Sequence, residues 1–249
     1  MVTGSQSLEE PLPPGLYVIS TPIGNLEDIT LRALKVLRRA DVLLAEDTRR
    51  ARILFQHYQI NKRPLSYHDH NEAIIAPKIV QWIREGKAVG LISDAGTPTI
   101  ADPGYRAIRS VIEEGLPLFV IPGPSAVTAA LPLAGIGAHR FVFERFLPPR
   151  KGRTARLEEL ASEERTIVLF ESPHRLVKTL NDIISHLGAN RQAAVLRELT
   201  KLHEEVRRGT LGELRDYFAC HPPRGEFVLV IEGLSGSNRS LKNASLHSE

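Results

Sequence analysis

The sequence predicts an α/β fold with two domains, because β-branched strand patterns alternate with amphipathic helical patterns in both of its halves. In the first half, continuous apolar runs typical of buried parallel strands occupy residues 16–20, 42–45, 89–93 and 118–121. Between them, apolar side chains at helical spacing predict helices around residues 31–37 and 108–112. The first domain is therefore expected to be a parallel sheet with connecting helices.

A second series of strands and helices follows Gly135 and Gly137, which we interpret as the linker. Strand patterns cover residues 141–146, 167–170, 194–196 and 227–231, and helical patterns cover residues 155–161 and 176–187. We therefore expect domains at residues 15–137 and 138–234. Residues 71–85 also have a helical pattern, in which Pro77 indicates either the start of the helix or a kink.

The two ends of the chain differ in composition from the rest. Residues 1–14 are a predicted disordered arm, and residues 235–249, rich in Ser, Asn and Gly, are a predicted disordered tail. The first residues lack the pattern of a signal peptide, and no apolar run approaches the roughly 20 residues that span a bilayer. These observations predict a cytoplasmic protein without a membrane segment. The single cysteine, Cys220, has no second thiol at zinc-binding spacing, so no metal site is expected.

Three strands of the first domain end in loops rich in Gly, Pro and small hydroxyl residues. The loops are residues 21–25 (TPIGN), 93–98 (SDAGTP) and 122–126 (PGPSA). Ligands of open α/β sheets bind beyond the carboxyl ends of the strands, and glycine lets a backbone approach a ligand closely. One such loop alone is more often a tight turn, whereas three converging loops predict a small-molecule site.

The residues of these loops do not by themselves identify the ligand. A dinucleotide site is weakly indicated, because the first loop has the single glycine Gly24 instead of G-x-G-x-x-G. The acidic pair Glu46 and Asp47 lies at a suitable distance for a nucleotide ribose, which keeps a nicotinamide cofactor open as an alternative. The sequence contains no Walker phosphate-binding loop.

Eight motifs occur in a fixed order over about residues 15–233: TPIGN, AEDTR, YHDHNE, SDAGTPTIADPG, PGPSA, FLP, RELTK and GEFVLVIEG. Together they resemble the ribosomal RNA methyltransferases of the tetrapyrrole methylase superfamily. The resemblance implies a parallel-sheet N-terminal domain, a mixed-sheet C-terminal domain, a homodimer, and S-adenosylmethionine bound in the cleft between the domains. It also implies the reaction, which is 2′-O-methylation of a decoding-centre cytidine in the 16S rRNA of a nearly complete small ribosomal subunit.

The resemblance assigns donor contacts to matching positions of the motifs. The expected donor-binding residues are Pro22, Ala95, Gly96, Thr97, Ile100, Ser125, Ala126 and Phe170. One position departs from the family pattern, because Arg145 stands before FLP where the family usually has glycine.

Methyl transfer to a ribose hydroxyl requires an acceptor oxygen held in line with the donor, and a base that takes the hydroxyl proton accelerates it. The expected catalytic residues are Asp47, Glu46 and His70, and His68, Asp69, Asp94 and Lys201 are further candidates for the base. Asp47 is the first choice, because it follows a buried strand at the expected ligand-binding edge. The structural alternatives are an ion pair with Arg49 or Arg50 for Glu46, and helix capping for Asp69.

The net charge of +3 is too small to indicate a polyanionic partner, but the basic residues are clustered. The expected RNA-binding residues are Arg49, Arg50, His68, Arg150, Lys151 and Arg153. For any single cluster, a solvated helix face is an equally good interpretation.

Two other functions remain open. A precorrin-type tetrapyrrole C-methyltransferase would share the fold and the donor, and a noncatalytic RNA-binding assembly protein would retain only a donor-like cleft. The motifs AEDTR and YHDHNE and the basic clusters favour RNA over a porphyrin-like ring. The three intact loops favour an enzyme over a binding module.

Overall fold

A computed structural model describes residues 11–234 of the chain. Most of the predicted arm at residues 1–14 and the whole predicted tail at residues 235–249 lie outside the described residues. None of the helices within the described range is long and apolar enough to cross a membrane.

The first five strands form one sheet in the order β3-β2-β4-β1-β5, and every pairing in it is parallel. The strands are β1 (Gly15–Ile19), β2 (Val42–Ala45), β3 (Leu65–Ser66), β4 (Ala88–Ile92) and β5 (Leu118–Ile121). The helices between them are α1 (Leu31–Arg39), α2 (Thr48–His57), α3 (Glu72–Arg84) and α4 (Tyr105–Glu113). Helix α3 begins ahead of Pro77, which lies inside it. The predicted parallel sheet is thereby confirmed.

Both faces of the first sheet are buried under helices, which explains its continuous apolar strands. Successive residues of β1 point to opposite faces. Tyr17 and Ile19 belong to a core that includes α1 and α2, whereas Leu16 and Val18 belong to a core that includes α3 and α4. Since all strands run in the same direction, the loops that follow β1, β2, β4 and β5 emerge at one edge of the sheet.

The second sheet is mixed, as the resemblance implied, with the order β6-β7-β10-β8-β9. Its strands are β6 (Phe141–Phe146), β7 (Thr166–Glu171), β8 (Gln192–Arg197), β9 (Glu205–Thr210) and β10 (Phe227–Ile231). Only β6 and β7 pair in parallel, and the other pairings are antiparallel. The helices of this half are α5 (Ala126–Ala134), α6 (Arg153–Ala161), α7 (Leu176–Leu187) and α8 (Leu211–Cys220). Helices α6, α7 and α8 share one apolar core with the strands.

Residue contacts divide the chain into two units, the first ending at Ser125 and the second beginning at Ala126. Helix α5 therefore belongs to the second unit, where it contacts β8, β9 and β10. The linker expected at Gly135 and Gly137 follows this helix, so the expected domain boundary lies one helix later than the division by contacts.

Candidate active site

Three loops meet at the carboxyl edge of the first sheet, as their composition predicted. Thr21 and Gly96 exchange two backbone hydrogen bonds, with N···O distances of 2.8 and 3.0 Å, so the loops after β1 and β4 form a short bridge. The Thr97 hydroxyl lies 2.8 Å from the Ser20 hydroxyl and donates to the Pro124 carbonyl at 3.4 Å. The loops after β1, β4 and β5 are therefore fixed against each other.

The loop after β4 has an unusual backbone. Gly96 has a φ of 77°, and the non-glycine residues Thr99 and Ala101 have φ values of 76° and 75°. A left-handed conformation costs an L-residue about 1–2 kcal/mol, and such residues cluster at ligand-binding sites. A Cβ added at Gly96 would lie 3.5 Å from Ile23 and 3.8 Å from the Pro124 carbonyl oxygen, so a side chain there would occupy the space between the loops.

A small pocket lies at the same edge, between the loops and helix α2. Its walls come from the ends of β1 and β4 and from the first turns of α2. The lining residues are Thr21, Pro22, Leu26, Arg50, Ala51, Ile53, Leu54, Ile92, Ser93 and Asp94. Of the expected donor contacts, Pro22 lines this pocket, and Ala95, Gly96, Thr97, Ile100 and Ser125 lie on the neighbouring loops of the first unit. Ala126 and Phe170 belong to the second unit.

Glu46, the first residue after β2, is an acid of this edge whose pKa is strongly raised. Burial raises its pKa to about 7, and the negative charges of Asp102 and Asp94 add to the effect. Its Oε2 atom is buried and has no hydrogen-bond partner among the described residues. A carboxylate with a near-neutral pKa and an unused acceptor atom is suited to taking a proton.

Asp94 ties Glu46 and its neighbour to the loop after β4. The Asp94 carboxylate accepts a hydrogen bond of 2.8 Å from the Asp47 backbone N–H, and the Arg50 guanidinium lies 3.6 Å from the same carboxylate. In the opposite direction, the Asp94 backbone donates to the Glu46 carboxylate, which partly offsets the rise in pKa. This reciprocal pair fixes where the Glu46 carboxylate lies.

The raised pKa of Glu46 predicts that Glu46→Gln stabilises the protein at high pH. Unfolded, the carboxyl has its ordinary pKa of 4.5, so between pH 4.5 and about 7 the unfolded state loses this proton first. The folded state is therefore destabilised as the pH rises through that window, and the penalty is complete above it. We expect the melting temperature of Glu46→Gln to exceed that of the parent at pH 8, and the difference to vanish below pH 4.5.

Asp47→Asn is the control for this pH comparison, because it is expected to change the melting temperature in the opposite direction. Hydrogen bonds from Arg49 hold the pKa of Asp47 well below its usual range, so its ionised form stabilises the fold at pH 8. Asp47→Asn is therefore expected to lower the melting temperature at pH 8. A lower melting temperature for Glu46→Gln at pH 8 would show that its carboxylate stabilises the fold instead of straining it.

Asp47, the residue chosen first as base, has a structural role. It is the N-cap of α2, and its carboxylate accepts from the Arg49 backbone N–H at 2.8 Å and from the Arg49 guanidinium at 2.7 Å. These hydrogen bonds use its acceptor atoms and lower its pKa, which makes it a poor proton acceptor. The geometry therefore favours Glu46 over Asp47 as the base.

The two histidines of the YHDHN segment lie side by side after β3. Their ring centroids are 5.8 Å apart, in an edge arrangement, and His70 is exposed. The Nδ1 atom of His68 is buried and has no hydrogen-bond partner among the described residues. Asn71, at the N-cap of α3, accepts from the His68 backbone N–H at 2.9 Å and donates to the Ser66 carbonyl at 3.0 Å. It thus holds the histidine loop in place.

Lys201 is unsuited to the role of base. Burial acts to lower its pKa, but hydrogen bonds to Glu198 and Glu226, each 2.9 Å long, outweigh burial and raise the pKa. The ammonium group therefore keeps its proton at neutral pH, and it ties the loop after β8 to the residues before β10.

The contacts of Arg153 argue against its expected role as an RNA contact. The residue is only 7% exposed. Its guanidinium donates to Asp182 at 2.7 Å, to the Thr179 hydroxyl at 2.8 Å and to the Pro148 carbonyl at 3.0 Å. A guanidinium with its donors used inside the fold does not contact phosphate. Arg150 and Lys151, from the same cluster, are exposed.

Comparison with solved structures defines the class of protein to which this fold belongs. A structure described as the cobalamin biosynthetic enzyme cobalt precorrin-4 methyltransferase has a TM-score of 0.67 and 22% sequence identity, over 87% of this chain and 94% of that one. Uroporphyrin-III C-methyltransferase from Thermus thermophilus, in complex with S-adenosylhomocysteine, has a TM-score of 0.62 and 19% identity, over 88% and 97% of the two chains. The fold is that of the tetrapyrrole methylases.

Sequence comparison identifies the family of the chain and several of its relatives. The profile of the Tetrapyrrole (Corrin/Porphyrin) Methylases matches residues 15–215, and the chain belongs to that family. Its relatives include a protein named ribosomal RNA small subunit methyltransferase I from Mesorhizobium japonicum, 46% identical over 93% of this chain and 79% of the relative. A protein of the same name from Thermotoga maritima is 45% identical over 88% of this chain and 98% of the relative.

Proposed function

We propose that the protein transfers a methyl group from S-adenosylmethionine to a ribose 2′-hydroxyl of a decoding-centre cytidine in 16S rRNA, with Glu46 as the general base. The observation that carries the mechanism is the Glu46 carboxylate, whose Oε2 atom has no hydrogen-bond partner among the described residues and whose pKa is about 7. The names of the relatives support the RNA substrate. The complex of a structural neighbour with S-adenosylhomocysteine supports the donor.

The loops at the carboxyl edge of the first sheet fit the proposed donor. The left-handed Gly96 leaves open the space that a side chain would fill, and the Thr21–Gly96 bridge keeps the loops in place. When bound, S-adenosylmethionine supplies a methyl group on a positively charged sulfur. The proposed donor contacts are Pro22, Ala95, Gly96, Thr97, Ile100 and Ser125 on the first unit, and Ala126 and Phe170 on the second.

In the proposed reaction, the ribose oxygen forms a bond to the methyl carbon while the bond from sulfur to that carbon breaks and its electron pair stays on sulfur. The hydroxyl proton passes to the Glu46 carboxylate. Because the pKa of Glu46 is about 7, the group is partly ionised at neutral pH and is a stronger base than an ordinary carboxylate. His68, His70, Arg49 and Arg50 are proposed contacts to the RNA around the acceptor.

The test of the proposed function is methylation of small ribosomal subunits from a strain that lacks the corresponding gene. With labelled S-adenosylmethionine, the expected product is one 2′-O-methylated cytidine in 16S rRNA, identified by nuclease digestion and mass spectrometry. Glu46→Gln is the control for adventitious methylation. Label in a tetrapyrrole but not in RNA would contradict the proposal. The active protein is expected to be a cytoplasmic homodimer, and sedimentation would measure its oligomeric state. It is also expected to need no metal ion, so its activity should persist in the presence of a chelator.

Donor binding gives a separate prediction that does not depend on RNA. A donor at a concentration about 100 times its Kd adds about 2.7 kcal/mol to the free energy of unfolding, which corresponds to a rise of about 5 to 10 °C in melting temperature. Gly96→Val is expected to weaken donor binding by about tenfold or more, a loss of about 1.4 kcal/mol, since the valine side chain fills the space between the loops. Calorimetric titration with S-adenosylhomocysteine measures the affinity.

The matched control for Gly96→Val is Gly115→Val. Gly115 also has a positive φ, 64°, but a Cβ there would have no atom within 4 Å, and the residue lies away from the loops, between α4 and β5. Both variants are expected to lose stability, and only Gly96→Val to lose donor affinity. Equal donor affinity in the two variants would remove the loop after β4 from the donor site.

A further inference from the structure

Strand β6 ends in a β-bulge that changes which way its side chains point. Phe143 pairs with Val168 and Phe146 pairs with Phe170, so three residue steps on β6 match two on β7. Arg145, inside the bulge, has a φ of 55°. In a regular strand, residues three apart point to opposite faces. Here the extra residue brings both phenyl rings onto one neighbour, with centroids 4.9 Å (Phe143) and 5.8 Å (Phe146) from the Phe170 ring.

The outer ring of this aromatic cluster is available to a partner. Phe146 is 50% exposed, whereas Phe143 and Phe170 are partly buried. The contact with Phe170 holds the Phe146 ring in one orientation and leaves half of its surface in water. The exposed part of the ring is a surface on which a planar aromatic group can stack.

The chain around Phe146 is strongly basic. Arg145 precedes it, and Arg150 and Lys151 follow it; all three are exposed. No ion pair within residues 11–234 includes Arg150 or Lys151. The acids near this segment are used by other arginines, since Glu144 pairs with Arg156. This segment therefore combines one aromatic surface, Phe146, with two exposed cations, Arg150 and Lys151, that no ion pair of the described residues neutralises.

The basic segment is also held in one conformation. Arg153 and Arg175 donate to the carbonyls of Pro148 and Leu147, at 3.0 and 2.7 Å. Both arginines are fixed in turn by carboxylates, Asp182 for Arg153 and Glu171 for Arg175. The backbone that presents Arg150 and Lys151 is thus preorganised, which lowers the entropic cost of binding.

We propose that Phe146, Arg145, Arg150 and Lys151 form a binding site for one unpaired nucleotide of the RNA substrate, with its base stacked on the Phe146 ring and the flanking phosphates on the three cations. Every base has an aromatic face, so stacking suits an extruded or single-stranded nucleotide, whereas bases inside a duplex are inaccessible to it. Charge complementarity favours a nucleic acid over a second copy of this chain as the occupant. This site rests on the proposed RNA substrate and adds an RNA contact at residues 145–151.

The proposed phosphate contact also explains why an arginine occupies this left-handed position. Glycine would adopt a φ of 55° without steric cost, whereas an arginine has a backbone cost there that the proposed phosphate contact would offset. The trade predicts opposite changes in Arg145→Gly: a higher melting temperature and weaker RNA binding. If Arg145 had a purely structural role, Arg145→Gly would lower the melting temperature as well as the RNA affinity.

The experiment measures binding of the full-length chain to a fluorescent single-stranded cytidine dodecamer and to methylation-free small ribosomal subunits. Phe146→Ala is expected to weaken RNA binding about 5- to 100-fold, the effect of losing one stacked base, and Phe146→Trp to retain it. Phe141→Ala is the matched control, because Phe141 is on the same strand and 39% exposed but lies before the bulge. For Arg145→Gly, the slope of log affinity against log salt is expected to fall by about 0.7.

The site is overturned if Phe146→Ala and Arg145→Gly bind RNA as the parent does. It is also overturned if Phe146→Ala weakens S-adenosylhomocysteine binding and not RNA binding, or if it changes only the oligomeric state in sedimentation. If Phe146→Ala fails to fold, the RNA affinities of Arg145→Gly and Phe146→Trp still test the site. The parent protein separates the two proposals, because a parent that neither binds nor methylates the subunits contradicts the proposed function itself.

Discussion

Replacing Glu46 with glutamine is expected to slow single-turnover methylation by about 10²- to 10⁴-fold, the usual contribution of a general base. The amide keeps the shape of the side chain and can still accept a hydrogen bond from the Asp94 backbone, but it cannot take the ribose proton. Donor and RNA affinities should therefore remain those of the parent. Rapid-quench measurements with saturating enzyme separate the methylation step from binding and product release.

The pH profile tests whether Glu46 is the base itself. In the parent, the single-turnover rate should rise with pH through an acidic limb centred near the pKa of Glu46, about 7. The limb should disappear in Glu46→Gln. Asp47→Asn is the matched control, because asparagine is also a good N-cap for α2 and the pKa of Asp47 lies far below this range. If the limb persists in Glu46→Gln, the proton acceptor is one of the histidines, His68 or His70.

Apolar patterns in the sequence were sufficient to predict most strands of the two sheets. The strands β1, β2, β4, β5, β7 and β10 are continuous apolar runs, and the structure confirms them. Strand β9, by contrast, is an edge strand whose sequence EVRRGT has little apolar character, so no periodicity indicated it. Helix α2 was also missed, because the arginines of its first turn obscured the buried positions Ala51, Leu54 and Phe55.

The roles of the charged residues could not be predicted from local sequence patterns, because they depend on contacts between residues that are distant in the sequence. Sequence reasoning placed Glu46 and Asp47 together at the ligand-binding edge and ranked Asp47 first. The geometry favours the reverse order, because burial and then the charges of Asp102 and Asp94, which are distant in the sequence, raise the pKa of Glu46. The hydrogen bond from Arg49 to Asp47 was foreseeable in kind, because an Asp before a helix is a typical N-cap. The glycine usual in the family at position 145 was the one signal that pointed to a left-handed residue before FLP.

Arg153, expected from its basic cluster to contact RNA, is held inside the fold, and its removal is expected to reduce stability more than RNA affinity. Arg153→Ala leaves the Asp182 carboxylate and the Thr179 hydroxyl without their donor and releases the Pro148 carbonyl. Breaking a buried ion pair by removing one partner costs about 3–5 kcal/mol, and Asp182 is partly exposed, so we expect about 3 kcal/mol. Urea unfolding of the full-length chain measures this loss.

The comparison variant is the double substitution of Arg150 and Lys151 by alanine, in the same basic run. Both side chains are exposed, so the double variant should unfold within about 0.5 kcal/mol of the parent. Its RNA affinity should fall steeply and its salt dependence become shallower, because fewer counterions are released on binding. Folded Arg153→Ala, assayed well below its melting temperature, should lose much less RNA affinity than the double variant, since the cations at 150 and 151 remain and only the contact of Arg153 with the Pro148 carbonyl is lost from the backbone that presents them. A stable Arg153→Ala that has lost RNA affinity would instead mean that its guanidinium leaves Asp182 to contact phosphate.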